Sequence, residues 1–227
     1  MSAAPPCSPG AEPGGPPLLR ESAAWRLLSL LFERPRPGWH EEVDALEPIA
    51  ADVALSAAVA AAREEACEEA FLGILVPAAV SPREVTWQKG DAGTLLAELK
   101  ATYDAFAFSP MTEEAPDHVS VEAGFVGWLL LKEAYARAAE LPEAAALTAE
   151  ARERFVRSHV ARLAAALAKG LPPWNVGSLT LAAEALAARA GAPPEERSLD
   201  ATAPSCAEGC AFAGEEDAEG EREIDPS

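Results

Sequence analysis

Apolar residues recur at intervals of three and four through most of this chain, and that spacing divides it into helices. Trp25, Leu28 and Phe32 set the first stripe from about Glu21, widened by Leu27, Leu30 and Leu31. Pro35 and Pro37 stop it, since proline lacks the amide that a helix interior needs. A short helix is expected over about 40–46, an alanine-rich one over about 49–62, and another over 63–76 that turns Ala66, Ala70, Phe71 and Leu75 inward. Residues 77–93 read as a loop. Helix resumes over 92–107, where Leu95, Leu96, Leu99, Tyr103 and Phe106 share a face. After a loop over 108–115, Pro116 and Asp117 open a central helix to about residue 140, because proline suits a first turn and aspartate caps free amides. From Phe125 to Leu131 that helix is apolar nearly all round, so it should be buried. Pro142 opens a long helix containing Phe155, His159, Leu163 and Leu167, closed by Gly170 and Pro172-Pro173. A last helix is expected over 174–190, before Gly191 and Pro193-Pro194. No stretch alternates with the period of a strand, and no spacing repeats at solenoid intervals. The expectation is an all-α, single-domain helical bundle of roughly seven to nine helices over residues 18–192.

The ends of the chain differ from this body. Residues 1–17 hold six prolines and three glycines, a composition expected to be disordered. Residues 193–227 are polar, acidic and without apolar period, and are expected to form a disordered tail carrying Cys206 and Cys210. Lys and Arg number 18 against 37 Asp and Glu, for a net charge of -19. Nearly half of that charge falls after Pro194, so the body itself is also acidic. Such a surface repels phosphate backbones and anionic lipid and favours a basic partner, with no nucleic acid and no membrane insertion expected. The first residues lack the basic-then-apolar pattern of a secretory signal, and no apolar run approaches transmembrane length. Cys7, Cys67, Cys206 and Cys210 are too few and scattered for a disulfide framework. Together these predict a cytoplasmic, reduced protein.

Enzyme signatures are scarce: there is no glycine-rich phosphate loop, nucleophile elbow or zinc-protease helix motif. The polar residues that stand out are Glu114, Asp117, His118 and Glu122, gathered at the start of the most hydrophobic helix. His118 and Glu122, four apart, would share a helix face. They have the spacing of two metal ligands, but no third or fourth is evident, so neither metal nor cofactor is expected. Asp117 as a cap and His118 as a polar end residue is the plainer reading. His159 reads as a satisfied core histidine, and Cys67 as a small buried hydrophobe. Trp87, beside Arg83 and Glu84 in a loop, is either tucked beneath it or presented to a partner. Tyr103 and Phe106 read as core. Composition and spacing thus lead to an acidic, helical, non-catalytic protein.

In their order along the chain, these residues resemble the TorD/DmsD/NarJ family of redox-enzyme maturation chaperones. The stretch from Trp25 through Leu31-Phe32 to Pro35 is similar to that family's opening helix, and Ser81-Pro82-Arg83-Glu84-Val85-Thr86-Trp87 to its loop of proline, acid and aromatic. Leu95, Leu99, Tyr103 and Phe106 resemble the helix before the signature. The signature itself stands as Glu114, Pro116-Asp117-His118, Glu122 and Phe125, and Phe155 with His159 resembles a downstream Phe-x-x-x-His. The chain departs from the pattern at Ala123-Gly124, where bulkier residues are usual, and at Leu163, where tryptophan is common. The resemblance implies an all-helical cytoplasmic chaperone, monomeric or dimeric. Its partner would be the apo catalytic subunit, or the twin-arginine signal peptide, of a molybdopterin-dependent oxidoreductase of the dimethyl-sulfoxide-reductase type. On this reading Glu114, Asp117 and Glu122 offer carboxylates to the arginines. Trp87, Tyr103 and Phe125 frame an apolar groove beside Pro116, and His118 tunes the site by titrating near neutral pH. A nitrate-reductase-type assembly chaperone, gripping a non-exported subunit, is the nearest alternative. A metal-dependent hydrolase using His118, Glu122 and His159 is the alternative of another class.

Overall fold

Helices form where the apolar spacing places them, and capping chemistry decides where each one stops. The computed structural model describes residues 17–65 and 80–194. In order these form α1 (Pro17–Phe32), α2 (Trp39–Ala50), α3 (Val53–Glu64), a 3-10 turn (Glu84–Thr86), α4 (Ala92–Ala105) and α5 (Val119–Ala138). Then come α6 (Pro142–Phe155), a π turn (Val156–Val160), α7 (Ala161–Gly170), a second 3-10 turn (Pro172–Trp174) and α8 (Gly177–Ala190). The π turn joins α6 and α7 without a break. Among the described residues there is no strand, only an isolated antiparallel bridge between Arg83 and His118. The chain is an all-α bundle. The expected helix over 63–76, residues 1–16, the acidic tail from Glu195 and all four cysteines fall largely or wholly outside the described residues.

Four boundaries differ from the sequence expectation, each for a local reason. Helix α1 begins at Pro17 rather than near Glu21, because proline is already set for a first helical turn. The second helix runs further than expected and the third begins later: Ala51 takes a left-handed conformation at the end of α2, and Asp52 caps α3 by accepting the Leu55 amide at 2.9 Å. Helix α5 starts at Val119, with His118 rather than Asp117 as its cap. Helix α8 starts at Gly177 because Pro172–Trp174 closes on itself and Asn175 turns left-handed.

Helices α1 and α5 form the central pair, each buried on nearly all sides. They approach closely because α5 has glycine where they meet. A Cβ on Gly127 would stand 3.2 Å from the Ser22 carbonyl oxygen and 3.4 Å from the Arg26 amide. The Ser22 hydroxyl uses that proximity to donate to the Gly127 carbonyl at 2.8 Å. The remaining helices pack around the pair, α2 on α1, α6 on α5 and α7 on α8. Helices α3 and α8 lie antiparallel, and their ends are tied by charge. Glu65, just past α3, accepts the Gly177 and Ser178 amides at 2.8 and 3.1 Å and the Ser178 hydroxyl at 2.7 Å. At the other end Arg189 of α8 pairs with Asp52 and Glu21. Each contact places a charge against the helix end whose dipole it complements. Among the described residues, no helix is long and apolar enough to cross a membrane.

Candidate functional site

The polar residues singled out in the sequence do converge, but in the interior. Residues Val80–Gln88 run antiparallel against the start of α5. The Glu84 amide donates to the Asp117 carbonyl at 2.8 Å, and the Val119 amide to the Pro82 carbonyl at 2.9 Å. Asp117, fully buried, receives Arg83 through Nε at 2.9 Å and an Nη at 2.7 Å, and the Val85 amide at 3.3 Å. Its carboxylate therefore caps the 3-10 turn of the neighbouring segment instead of its own helix. Its charge is already answered by an arginine of the same chain.

His118 takes the cap position of α5. Its Nδ1 lies 2.7 Å from the Ser120 hydroxyl and accepts from the Ser120 amide at 3.2 Å. Burial pushes its pKa down to about 4; the Asp117 carboxylate pulls the other way and Arg83 adds to the depression. The imidazole is therefore neutral around pH 7, and the expected titration near neutrality does not hold. Glu114 approaches Nε2 to 3.9 Å from a partly exposed position. Glu122, one turn into α5, is wholly buried, and among the described residues no donor reaches either of its carboxyl oxygens. Desolvation, then the nearby charges of Glu84 and Asp117, raise its pKa well above that of a free glutamate.

The buried Glu84 joins this centre to the π turn. His159 brings Nδ1 to 3.0 and 3.1 Å from its two oxygens, and Gln88 donates to it as well. His159 is thus a satisfied histidine, lying against the Phe155 ring at 4.8 Å between centroids. The five-residue turn interrupts the α-helical register at the point where His159 meets Glu84. Tyr103 packs edge-on against Phe125 at 4.8 Å and donates its hydroxyl to the Pro116 carbonyl at 2.7 Å. Phe125 in turn meets Phe155 at 4.7 Å and Phe108 at 5.3 Å. Trp87 is tucked under its own loop, donating to the Ser81 carbonyl at 2.9 Å. Tyr103 and Phe125 are therefore core residues and Trp87 is packed at the edge of the core.

A groove does exist, on the opposite side of the same helical turn. Ser120, Val121, Gly124, Trp128 and Leu131 of α5 face Ser22, Arg26 and Ser29 of α1 across a hollow of about 400 Å³, roofed by Phe108–Thr112. Its lining is mostly apolar, and Met111 and Leu131 are exposed at its rim. Gly124 keeps it open: a Cβ there would point to the Ser29 hydroxyl at 3.2 Å and the Phe108 ring at 3.7 Å. Arg26, the cation in its wall, is held by Glu42 at 2.7 Å and donates to Ser29 at 3.0 Å. Met111 and Thr112 also line a notch bounded by Glu33, Arg34, Arg36, Glu113 and Glu114. There Glu33 and Arg36 bind each other at 2.8 Å, which leaves the exposed Glu113 and the partly exposed Glu114 as the notch's other carboxylates.

Of the residues expected at the site, Glu114 alone borders this groove system, while Pro116, Asp117, His118, Glu122, Phe125, Trp87 and Tyr103 belong to the interior or its edge. Sequence reasoning missed the groove residues Arg26, Met111 and Trp128, and the partnership of Glu84 with His159. The glycine at position 124, in place of a bulkier residue, was the available signal for an opening. Nothing local links positions 84 and 159. Among the described residues, no three His, Cys, Asp or Glu side chains are arranged to hold a metal ion; His118 turns to Ser120, His159 turns to Glu84, and Glu122 has no hydrogen-bond partner. No family model matches this chain, and no match appears among curated proteins or solved structures.

Proposed function

We propose that this protein is a cytoplasmic maturation chaperone of the TorD/DmsD/NarJ type. It holds the apo catalytic subunit of a molybdopterin-dependent oxidoreductase by a basic-then-apolar leader segment until the cofactor is inserted. The observation that carries the reading is the groove between α1 and α5, mostly apolar and sharing Met111 and Thr112 with the notch bearing Glu113 and Glu114. An arginine pair followed by an apolar stretch has the complementary order of charge and hydrophobicity. The overall charge of -19 draws such a segment in. The order of the sequence motifs and the all-helical fold agree with the same reading.

The mechanism differs from the sequence expectation in its residues. Asp117 and Glu122 do not meet the arginines, since both are fully buried and Asp117 is bound by Arg83. Glu113 and Glu114 take that role, and Met111, Trp128 and Leu131 hold the apolar part. The test is titration of the full chain with a synthetic peptide carrying an arginine pair before an apolar stretch. Met111→Glu and Leu131→Glu, both at exposed positions, should each weaken binding about tenfold, equivalent to ~1.4 kcal/mol. Glu113→Gln with Glu114→Gln should remove most of the salt dependence. Absence of binding, or unchanged affinity in both rim variants, would remove the proposal.

A further inference from the structure

The carboxyl centre behind α5 has a charge problem whose solution is itself a device. Three buried carboxyl groups, on Glu84, Asp117 and Glu122, meet there. Asp117 is matched by Arg83, and Glu84 is matched by His159 and Gln88. Glu122 has no donor of its own, although its carboxyl is fully enclosed. An isolated carboxylate in that position would cost several kcal/mol, on the order of the effective penalty for burying one ion. A carboxylic acid would not: it carries no charge, and its hydroxyl can turn to donate to Glu84, the carboxylate whose charge bears most on it.

We propose that a proton resident on Glu122 latches the segment Ser81–Gln88 onto α5 and the π turn, and that its removal releases the segment. Glu84 is the point of attachment. Its backbone is bonded to Asp117, its side chain reaches His159, and Gln88 adds a contact to the Ser158 carbonyl at 3.4 Å. When the proton leaves, two carboxylates face each other in a dry site, and Glu84 is the one on an irregular segment able to move. Among the described residues, the groups around Glu122 offer no other relief. Tyr103 of α4 donates its hydroxyl proton to the Pro116 carbonyl, Arg83 is committed to Asp117, and His118 is turned to Ser120. Release would lift Val85 and Trp87 from the core against which they pack. The raised affinity of Glu122 for its proton agrees with this geometry.

The experiment is amide hydrogen exchange of the full chain between pH 6 and 9, corrected for intrinsic rates and read by mass spectrometry over residues 81–88. Wild-type protection there should fall at least tenfold as pH rises, while residues 125–131 in the middle of α5 stay protected. Glu122→Gln, which keeps a donor without a titrating proton, should hold the segment protected throughout. Infrared spectroscopy of the wild type supplies the second reading: a protonated-carboxyl band at neutral pH that fades together with the protection. No such band at neutral pH, a segment whose protection ignores pH, equal profiles in the wild type and a folded Glu122→Gln, or simultaneous loss over 81–88 and 125–131 would each overturn the latch.

Discussion

Asp117 shows how little the identity of a residue says before its partners are known. From sequence it reads as the cap of α5, whereas its carboxylate binds Arg83 and the Val85 amide and so serves the neighbouring segment. Asp117→Ala should cost about 1–3 kcal/mol in denaturant unfolding; the estimate stays modest because Arg83 is 41% exposed and water can take over its charge. It should leave helicity largely in place. His118 is the second case. With burial holding its pKa at about 4, replacing it by Gln should leave peptide affinity unchanged between pH 6 and 8, a comparison that separates a structural cap from a titrating ligand. Position and residue type were legible for both. Their roles were not, because a side chain's pKa and partner depend on atoms from elsewhere in the chain.

At the level of elements, one glycine and one glutamate do most to set how the helices meet. Gly127 allows α1 and α5 to approach until a Cβ would meet backbone at 3.2 and 3.4 Å. Backbone cannot rotate away as a side-chain tip can, so Gly127→Leu should force the pair apart and lower stability by about 1–3 kcal/mol or more, measured by urea unfolding. Glu65 is bound to the α8 N-terminus by three hydrogen bonds. Glu65→Ala should cost about 1–2 kcal/mol, the usual worth of a lost cap, and should raise amide exchange first in the opening turn of α8. Neither contact was visible in the spacing of apolar residues. The helices themselves were: Trp25 to Phe32 and Phe125 to Leu131 mark buried helices by composition alone. The break between α2 and α3 was expected at about 47–48 and falls at Ala51–Asp52, because alanine is seldom the left-handed residue that ends a helix and nothing in the pattern marked the true stop.

For the whole molecule, stability should fall at both ends of the pH range, for opposite reasons. Glu42 and Asp52 have lowered pKa values: burial opposes the charge, but Arg26 and Arg36 at one, and the Leu55 amide and Arg189 at the other, outweigh it. Their contribution is present above the unfolded-state pKa and lost as pH falls through the folded one, so acid should lower stability. Glu122 is the reverse. Its raised pKa adds stability that is full below the ordinary glutamate value and is lost as pH rises through its folded value. A melting-temperature profile against pH should therefore descend on the alkaline side, and Glu122→Gln should flatten that descent while leaving the acid limb in place.

What the sequence determined by itself was the class of fold, the central helix and the acidic charge, because apolar period, proline position and ionisable composition are properties of the chain before it folds. Only the tertiary structure decided that Pro116-Asp117-His118 and Glu122 face inward, that Glu84 and His159 share a hydrogen bond, and that an open groove lies on the other face of the same turn. Burial and pairing depend on which distant segments are brought together, and the spacing within one helix does not carry that information.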